Sequence, residues 1–247
     1  MHDIRYDAVH DEFLVTNTFG HAILTFRGQA SGEESPIRMI HGPHTALQSP
    51  DRADVDVVNN EILVPEYDSI LVFPRDGQGD VAPIRVIKGP KTKLKGSKTL
   101  AVDTVHNLIV VDSRVDDDRT SSLLIFNRTD SGDVAPRAMI RGPKTGIIRF
   151  TQIQVYSPNG WIVATQPGVS AQQEPDNSFV GIWSVNDNGD VPPRWAIGGP
   201  KSTLKKPRGV ALDPLHKEII VADMRLNAVL TYAFPEIFET SNPKTAH

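Results

Sequence analysis

The sequence predicts an all-β fold made from one unit used about five times, and three observations predict it. Four segments begin at Pro36, Pro83, Pro136 and Pro193 and reach a Gly-Pro pair six residues later. An aromatic stands ten residues before each of those prolines (Phe26, Phe73, Phe126 and Trp183), and a fifth copy ends in Tyr232. Between these landmarks lie short runs rich in β-branched residues, punctuated by Gly, Pro, Asn and Asp, with no sustained 3.6-residue hydrophobic period. A repeat of roughly 50 residues with four short strands is the pattern of a β-propeller blade. The reason is burial: one four-stranded sheet has two faces and hides both only by stacking radially against its neighbours.

The second unit shows the elements in order. Strand a is read at Asp54–Val58, followed by a turn at Asn59-Asn60, strand b at Glu61–Val64, and strand c at Ser69–Phe73. A linker with Gly77, Gly79 and Asp80 supplies turn chemistry, and strand d, Ile84–Ile87, ends at Gly89-Pro90. The strand-c aromatics, Trp183 and Tyr232 among them, are read as filler between blades. The whole chain is expected to be one propeller domain, with blades near 2–50, 51–98, 99–150, 151–208 and 209–247. Residues 233–247 offer only a degenerate fourth strand. Three closures are therefore open: a five-bladed ring with a poor last strand, which is favoured, a ring completed by another chain, or a fragment of a longer propeller.

Composition narrows the classes. The chain has 247 residues, 39% hydrophobic and 23% charged, with a net charge of −4, which disfavours nucleic acid as a partner. With no cysteine there are no disulfides or thiolate metal sites. No apolar run approaches the ~18 residues of a membrane span. Repeat sequence begins almost at Met1, so the expected location is the cytoplasm, or the periplasm or exterior if the chain is a trimmed mature form.

The strand a–b phrases Val210-Ala211-Leu212-Asp213-Pro214 and Ile219-Ile220-Val221-Ala222-Asp223 recur as Leu100-Ala101-Val102-Asp103 and Val110-Val111-Asp112. With the Gly-Asp-Val-Ala-Pro linkers of the second and third units, they make the chain resemble the NHL-repeat and gluconolactonase-like propellers. That resemblance implies the fold, and only weakly an activity.

Four sets of residues are candidates for function. His10, Asn59, His106, Asn159 and His216 recur three residues after the strand-a Asp or its equivalent. The resemblance to peptide-amidating lyases suggests zinc there, whereas turn chemistry explains the alternation of His and Asn through their tolerance of positive φ. Asn17, Glu66, Asp112, Thr165 and Asp223 end the b strands. The gluconolactonase-like resemblance implies an oxygen cage for Ca2+ or Mg2+ near the axis, with Asn17, Glu66, Asp112 and Asp223 as ligands, and turn capping is the competing reading. A third set is the cations of the d–a loops: His44, Lys91, Lys93, Lys95, Lys98, Lys144, Lys201, Lys205, Lys206 and Arg208. Fourth, the distance from the strand-b polar position to the strand-c aromatic runs 9, 7, 14, 18 and 9 residues, so the third and fourth units carry long b–c loops. Insertions in repeats gather on one, often binding, face. Asp116, Asp117, Asp118, Gln172, Gln173, Lys91 and Lys201 are accordingly expected to contact a partner. No nucleophile elbow, P-loop or His-Glu-x-x-His motif is present.

The expectation is thus a non-catalytic binding or assembly module that meets a protein partner, or itself, through the b–c and d–a loops. The alternatives are a divalent-cation-dependent lactonase- or lyase-like enzyme, and a structural subunit whose ring another chain closes.

Overall fold

The computed structural model describes residues 3–114, 120–169 and 177–239. They form five antiparallel sheets, each a meander in sequence order. The first blade is β1 (Ile4–Asp7), β2 (Glu12–Asn17), β3 (Ala22–Arg27) and β4 (Arg38–His41). The second is β5 (Asp54–Asp56), β6 (Glu61–Glu66), β7 (Ser69–Pro74) and β8 (Arg85–Lys88). The third is β9 (Leu100–Asp103), β10 (Leu108–Ser113), β11 (Ser122–Asn127) and β12 (Ala138–Ile140). The fourth is β13 (Gln152–Tyr156), β14 (Trp161–Gln166), β15 (Phe179–Ser184) and β16 (Trp195–Gly198). The fifth, β17 (Pro207–Asp213), β18 (Glu218–Asp223) and β19 (Ala228–Ala233), has three strands among the described residues. The a strands β1, β5, β9, β13 and β17 neighbour one another in that order, so the molecule is a β-propeller with its a strands innermost.

Cross-strand register sorts each blade into two faces, because opposed residues share a side of the sheet. In the second blade Val55, Ile62 and Phe73 are opposed on the face toward the first blade, while Leu63 and Val72 face the third. Both sets are fully apolar, which is why β6 and β7 read as continuous hydrophobic runs. Phe73, Phe126 and Trp183 are each 0% exposed. The strand-c aromatics therefore do fill the gaps between blades.

Strand a of the second unit ends at Asp56, two residues earlier than the sequence suggests, because Asp56 closes the a–b turn. Its Oδ1 accepts the N–H groups of Val58 and Asn59 at 3.0 and 2.8 Å. Adjacent blades are also stapled on their outer side. Asp80 of the second blade bonds the backbone of His44 in the first, Asp133 that of Lys91, and Asp190 that of Lys144. These are the aspartates of the repeated linker phrase, and they cap the 3-10 turns opened by the first three Gly-Pro pairs.

The ring has four apolar blade-to-blade cores. They lie between the first and second, second and third, third and fourth, and fourth and fifth blades. None among the described residues joins the fifth blade to the first. The fourth-to-fifth junction is sealed without an aspartate: Ile237 and Phe238 fold back into it, and Tyr232 donates its hydroxyl to the Ser202 carbonyl at 2.6 Å.

Candidate functional site

The histidines of the first, third and fifth blades close the a–b turns. His10, His106 and His216 each place Nδ1 2.7–2.8 Å from the Oδ2 of Asp7, Asp103 or Asp213 three residues earlier. Asn59 does the same with Asp56 at 2.8 Å. Positive φ falls one residue later than expected, at Asp11, Asn60, Asn107, Gly160 and Lys217. Histidine and asparagine share this position because both donate to an aspartate, not because of their own backbone angle. In the fourth blade Tyr156 replaces that aspartate, and Asn159 turns instead to the carbonyls of Ile237 and Glu239 at 2.9 and 3.0 Å.

The polar residues ending the b strands are each committed to a backbone. Glu66 accepts the N–H groups of Gln48 and Ser49 at 3.1 and 3.2 Å. Asp112 Oδ1 accepts those of Lys98 and Thr99 at 2.7 and 2.9 Å. Asp223 takes Lys205 and Lys206 on one oxygen and Arg225 and Leu226 on the other. Asn17 accepts Gly20 at 3.0 Å, and Thr165 accepts Gln152 at 3.1 Å. The carboxylates thus pin each b strand to the incoming d–a connection, as capping side chains do. Glu66, Asp112 and Asp223 do not gather into a metal-holding group. Among the described residues no group of three or more His, Cys, Asp or Glu could hold a metal ion.

Burial acts on two of these acids. It raises the Glu66 carboxyl above its ordinary value against the bonds from Ser49 and Gln48. It pushes Asp112 up to about 6, opposed by the N–H groups of Lys98 and Thr99 and by Arg114 and Arg52.

Asp116, Asp117, Asp118, Gln172 and Gln173 lie outside the described residues. Lys91 and Lys201 are exposed on their 3-10 turns, and the Lys91 N–H is held by Asp133 at 2.7 Å.

Two cavities are lined by the innermost strands and the connections into them, and Arg52 and Arg208 border both. A polar cluster lies beside them: Arg5 donates to the carbonyls of Ala53 and Ile153 at 3.0 and 3.4 Å, and Asp3 accepts from Gln152 and Arg52, both at 3.3 Å. On the side of the b–c and d–a loops, a cavity of about 590 Å3 is lined by Arg52, Lys98, Arg114, Arg149 and Arg208, with Asp51 and Asp112. Sequence reading placed Lys98, Arg208 and Asp112 on this face but missed Arg52, Arg114 and Arg149. They occupy different repeat positions, so no periodic signal marks them.

The second cavity, about 960 Å3, runs from the axis outward between the first and fifth blades. On the first blade it is lined by Asp3, Ile4, Arg5 and Tyr6, and Ile4 and Tyr6 belong to an apolar sheet face. Tyr6, Phe13 and Phe26 are opposed in one row, and Ile4, Val15, Leu24 and Met39 in the next. Ile4 and Tyr6 are 58% and 55% exposed. The fifth blade presents Ala222 beside Val229 and Ala211 beside Ile220, with Val229 68% exposed. In closed junctions the positions matching Ile4 (Leu100 and Ile153) and Val229 (Ile70, Leu123 and Val180) are buried, and those matching Tyr6 (Val55 and Val155) are partly buried.

The fold and these surfaces define the class: a five-bladed β-propeller in which, among the described residues, no apolar core joins the fifth blade to the first. No protein-family model matches the chain, and no curated protein is significantly similar to it. Among the described residues no helix is long and apolar enough to cross a membrane.

Proposed function

We propose that this chain is a non-catalytic assembly module of NHL-like type that works by closing its uncovered junction against a second copy of itself. The observation that carries the reading is the pair of open faces. Each closed junction mates the leading face of one blade with the trailing face of the next, the latter carrying the strand-c aromatic. The open junction leaves one face of each kind, the trailing face with Phe26 and the leading face with Val229. One chain therefore exposes both halves of a contact it already makes four times.

The staple points the same way. Where later linkers read Gly-Asp-Val, the first reads Gly32-Glu33-Glu34, and Glu34 is engaged by Arg27 within its own blade. The fifth blade has no Gly-Pro turn after β19 for an aspartate to cap. Both partners of the staple are missing from the same junction, so the two faces suit each other. An exposed apolar sheet face of this extent marks an interaction surface, and β19, whose outer edge pairs with no strand among the described residues, adds backbone groups for pairing. The commitment of Glu66, Asp112 and Asp223 to backbone N–H groups supports a scaffold over a cation-dependent lactonase or lyase.

The test is the mass of the native particle by light scattering over a dilution series. The expected result is a dimer or closed higher multimer that Val229→Glu, and separately Phe26→Glu, returns to the 27.1 kDa chain. A wild-type chain that is monomeric at every concentration overturns self-closure and assigns the junction to a different protein.

A further inference from the structure

We infer that the axial cavity on the loop side is a binding site for a small multivalent oxyanion, carrying phosphate or carboxylate groups, held by Arg114, Arg149 and Arg208. This inference stands independently of how the open junction is filled.

The charge balance comes first. The cavity wall carries five cations, Arg52, Lys98, Arg114, Arg149 and Arg208, against two carboxylates, Asp51 and Asp112. Yet the whole chain is negative, at −4, so the local excess runs against the average. Two of the cations are already offset: Asp51 lies 3.6 Å from Lys98, and Arg52 pairs with Asp3 at 3.3 Å. Asp112 gives Oδ1 to two backbone N–H groups, so the excess rests on Arg114, Arg149 and Arg208.

The arginines themselves are the second point. Elsewhere in the molecule arginines are spent on carboxylates: Arg85 and Arg128 on Glu61, Arg75 and Arg38 on Glu12, Arg194 on Asp187. Among the described residues no carboxylate pairs with Arg114, Arg149 or Arg208. They come from three separate places, just after β10, the connection into β13 and the start of β17, and line the same cavity. Arg149 is half-buried, and its Nε is shielded from solvent with no hydrogen-bond partner. Burial, together with Arg208 and Arg114 nearby, disfavours its charge. A shielded, unpaired guanidinium donor beside like charges is costly unless an acceptor fills the space.

Guanidinium forks match the planar, bidentate geometry of carboxylate and phosphate oxygens. At about 590 Å3 the cavity suits a small molecule. Its aromatic, Phe150, is buried in the core between the third and fourth blades, so no platform for stacking bases is offered. A compact anion fits this chemistry better than a nucleic-acid strand.

The experiment is isothermal titration of the full chain with sodium pyrophosphate and, separately, with citrate, at ionic strength held constant with sodium chloride. Saturable binding at one site per chain is expected. Arg149→Gln and Arg208→Gln should each weaken it about ten-fold, the loss of one charge-assisted contact. In anion-free buffer both variants should melt at or above the wild-type temperature, since each removes a like charge, which also shows that the fold is kept. Arg114→Gln, at an exposed rim position, provides a third variant should either of the others fail to fold. Tighter pyrophosphate assigns a phosphorylated ligand, and tighter citrate a polycarboxylate. Failure of both probes to saturate, or equal affinity in wild type and variants, overturns the assignment.

Discussion

Asp80 in the second blade accepts the backbone N–H of His44 in the first at 2.7 Å, and its other oxygen lies 2.6 Å from the His44 ring. One side chain thereby caps a 3-10 turn and bolts two blades together. The same backbone bond at Asp133 and Asp190 explains why the linker phrase recurs in the second, third and fourth units.

Asp133→Ala removes the cap on Lys91 and should cost about 1 kcal/mol, the worth of a helix-cap side chain. Gly89→Ala should cost more, about 1–3 kcal/mol. Gly89 sits at φ 136°, and an added Cβ would lie 2.5 Å from the Asp133 carboxyl. Urea unfolding of the two variants beside wild type gives both numbers. Equal stability of all three would show that the staple adds nothing.

Equivalent aromatics should differ in worth according to which junction they occupy. Phe126→Ala opens a hole in a sealed core and should cost about 3–5 kcal/mol. Phe26→Ala, on the open face, should cost clearly less in a dilute monomer, and approach the Phe126 value only where multimers form. Denaturation midpoints at low and high protein concentration separate the two situations.

Asp112 sets a pH dependence whose sign follows from its burial. Its carboxyl titrates near 6 in the folded chain, against an ordinary 3.8 once unfolded. The native state therefore binds the proton more tightly, and stability falls as pH rises from about 4 through 6. Asparagine keeps an Oδ1 for the two backbone N–H groups. Asp112→Asn should thus be more stable than wild type above pH 6 and lose that slope. Melting temperatures of both proteins from pH 4 to 8 decide it, and parallel profiles would refute the assignment.

His216 should titrate above its ordinary 6.5, because Asp213 bonds and attracts its protonated ring. A raised folded value means that the stabilisation it gives is present at low pH and fades as pH climbs through that value. A proton NMR titration should show the shift in wild type and its disappearance in Asp213→Asn.

Much of this was legible because it is local. Phe73, Phe126 and Trp183 announce themselves by spacing, since each must fill the same gap between sheets. The pairing of Asp7 with His10, and of Asp56 with Asn59, was visible as a turn. Its details were not, because donor geometry and positive φ belong to adjacent residues that the sequence does not separate. Glu66, Asp112 and Asp223 looked equally fit for a cation or for a cap. Only their distances to backbone N–H groups show which bonds they make.

Closure and convergence were decided at a higher level. Within each repeat, nearly continuous apolar runs such as Ile62–Val64 and Ile70–Phe73 dictate a sheet with two greasy faces, and the sequence alone determined that such sheets must stack around an axis. Whether the last face meets the first depends on small inter-blade rotations summed over five blades. No short window encodes that sum. The gathering of Arg114, Arg149 and Arg208 around one cavity likewise arises from three unrelated repeat positions that only the radial packing brings within reach of one another.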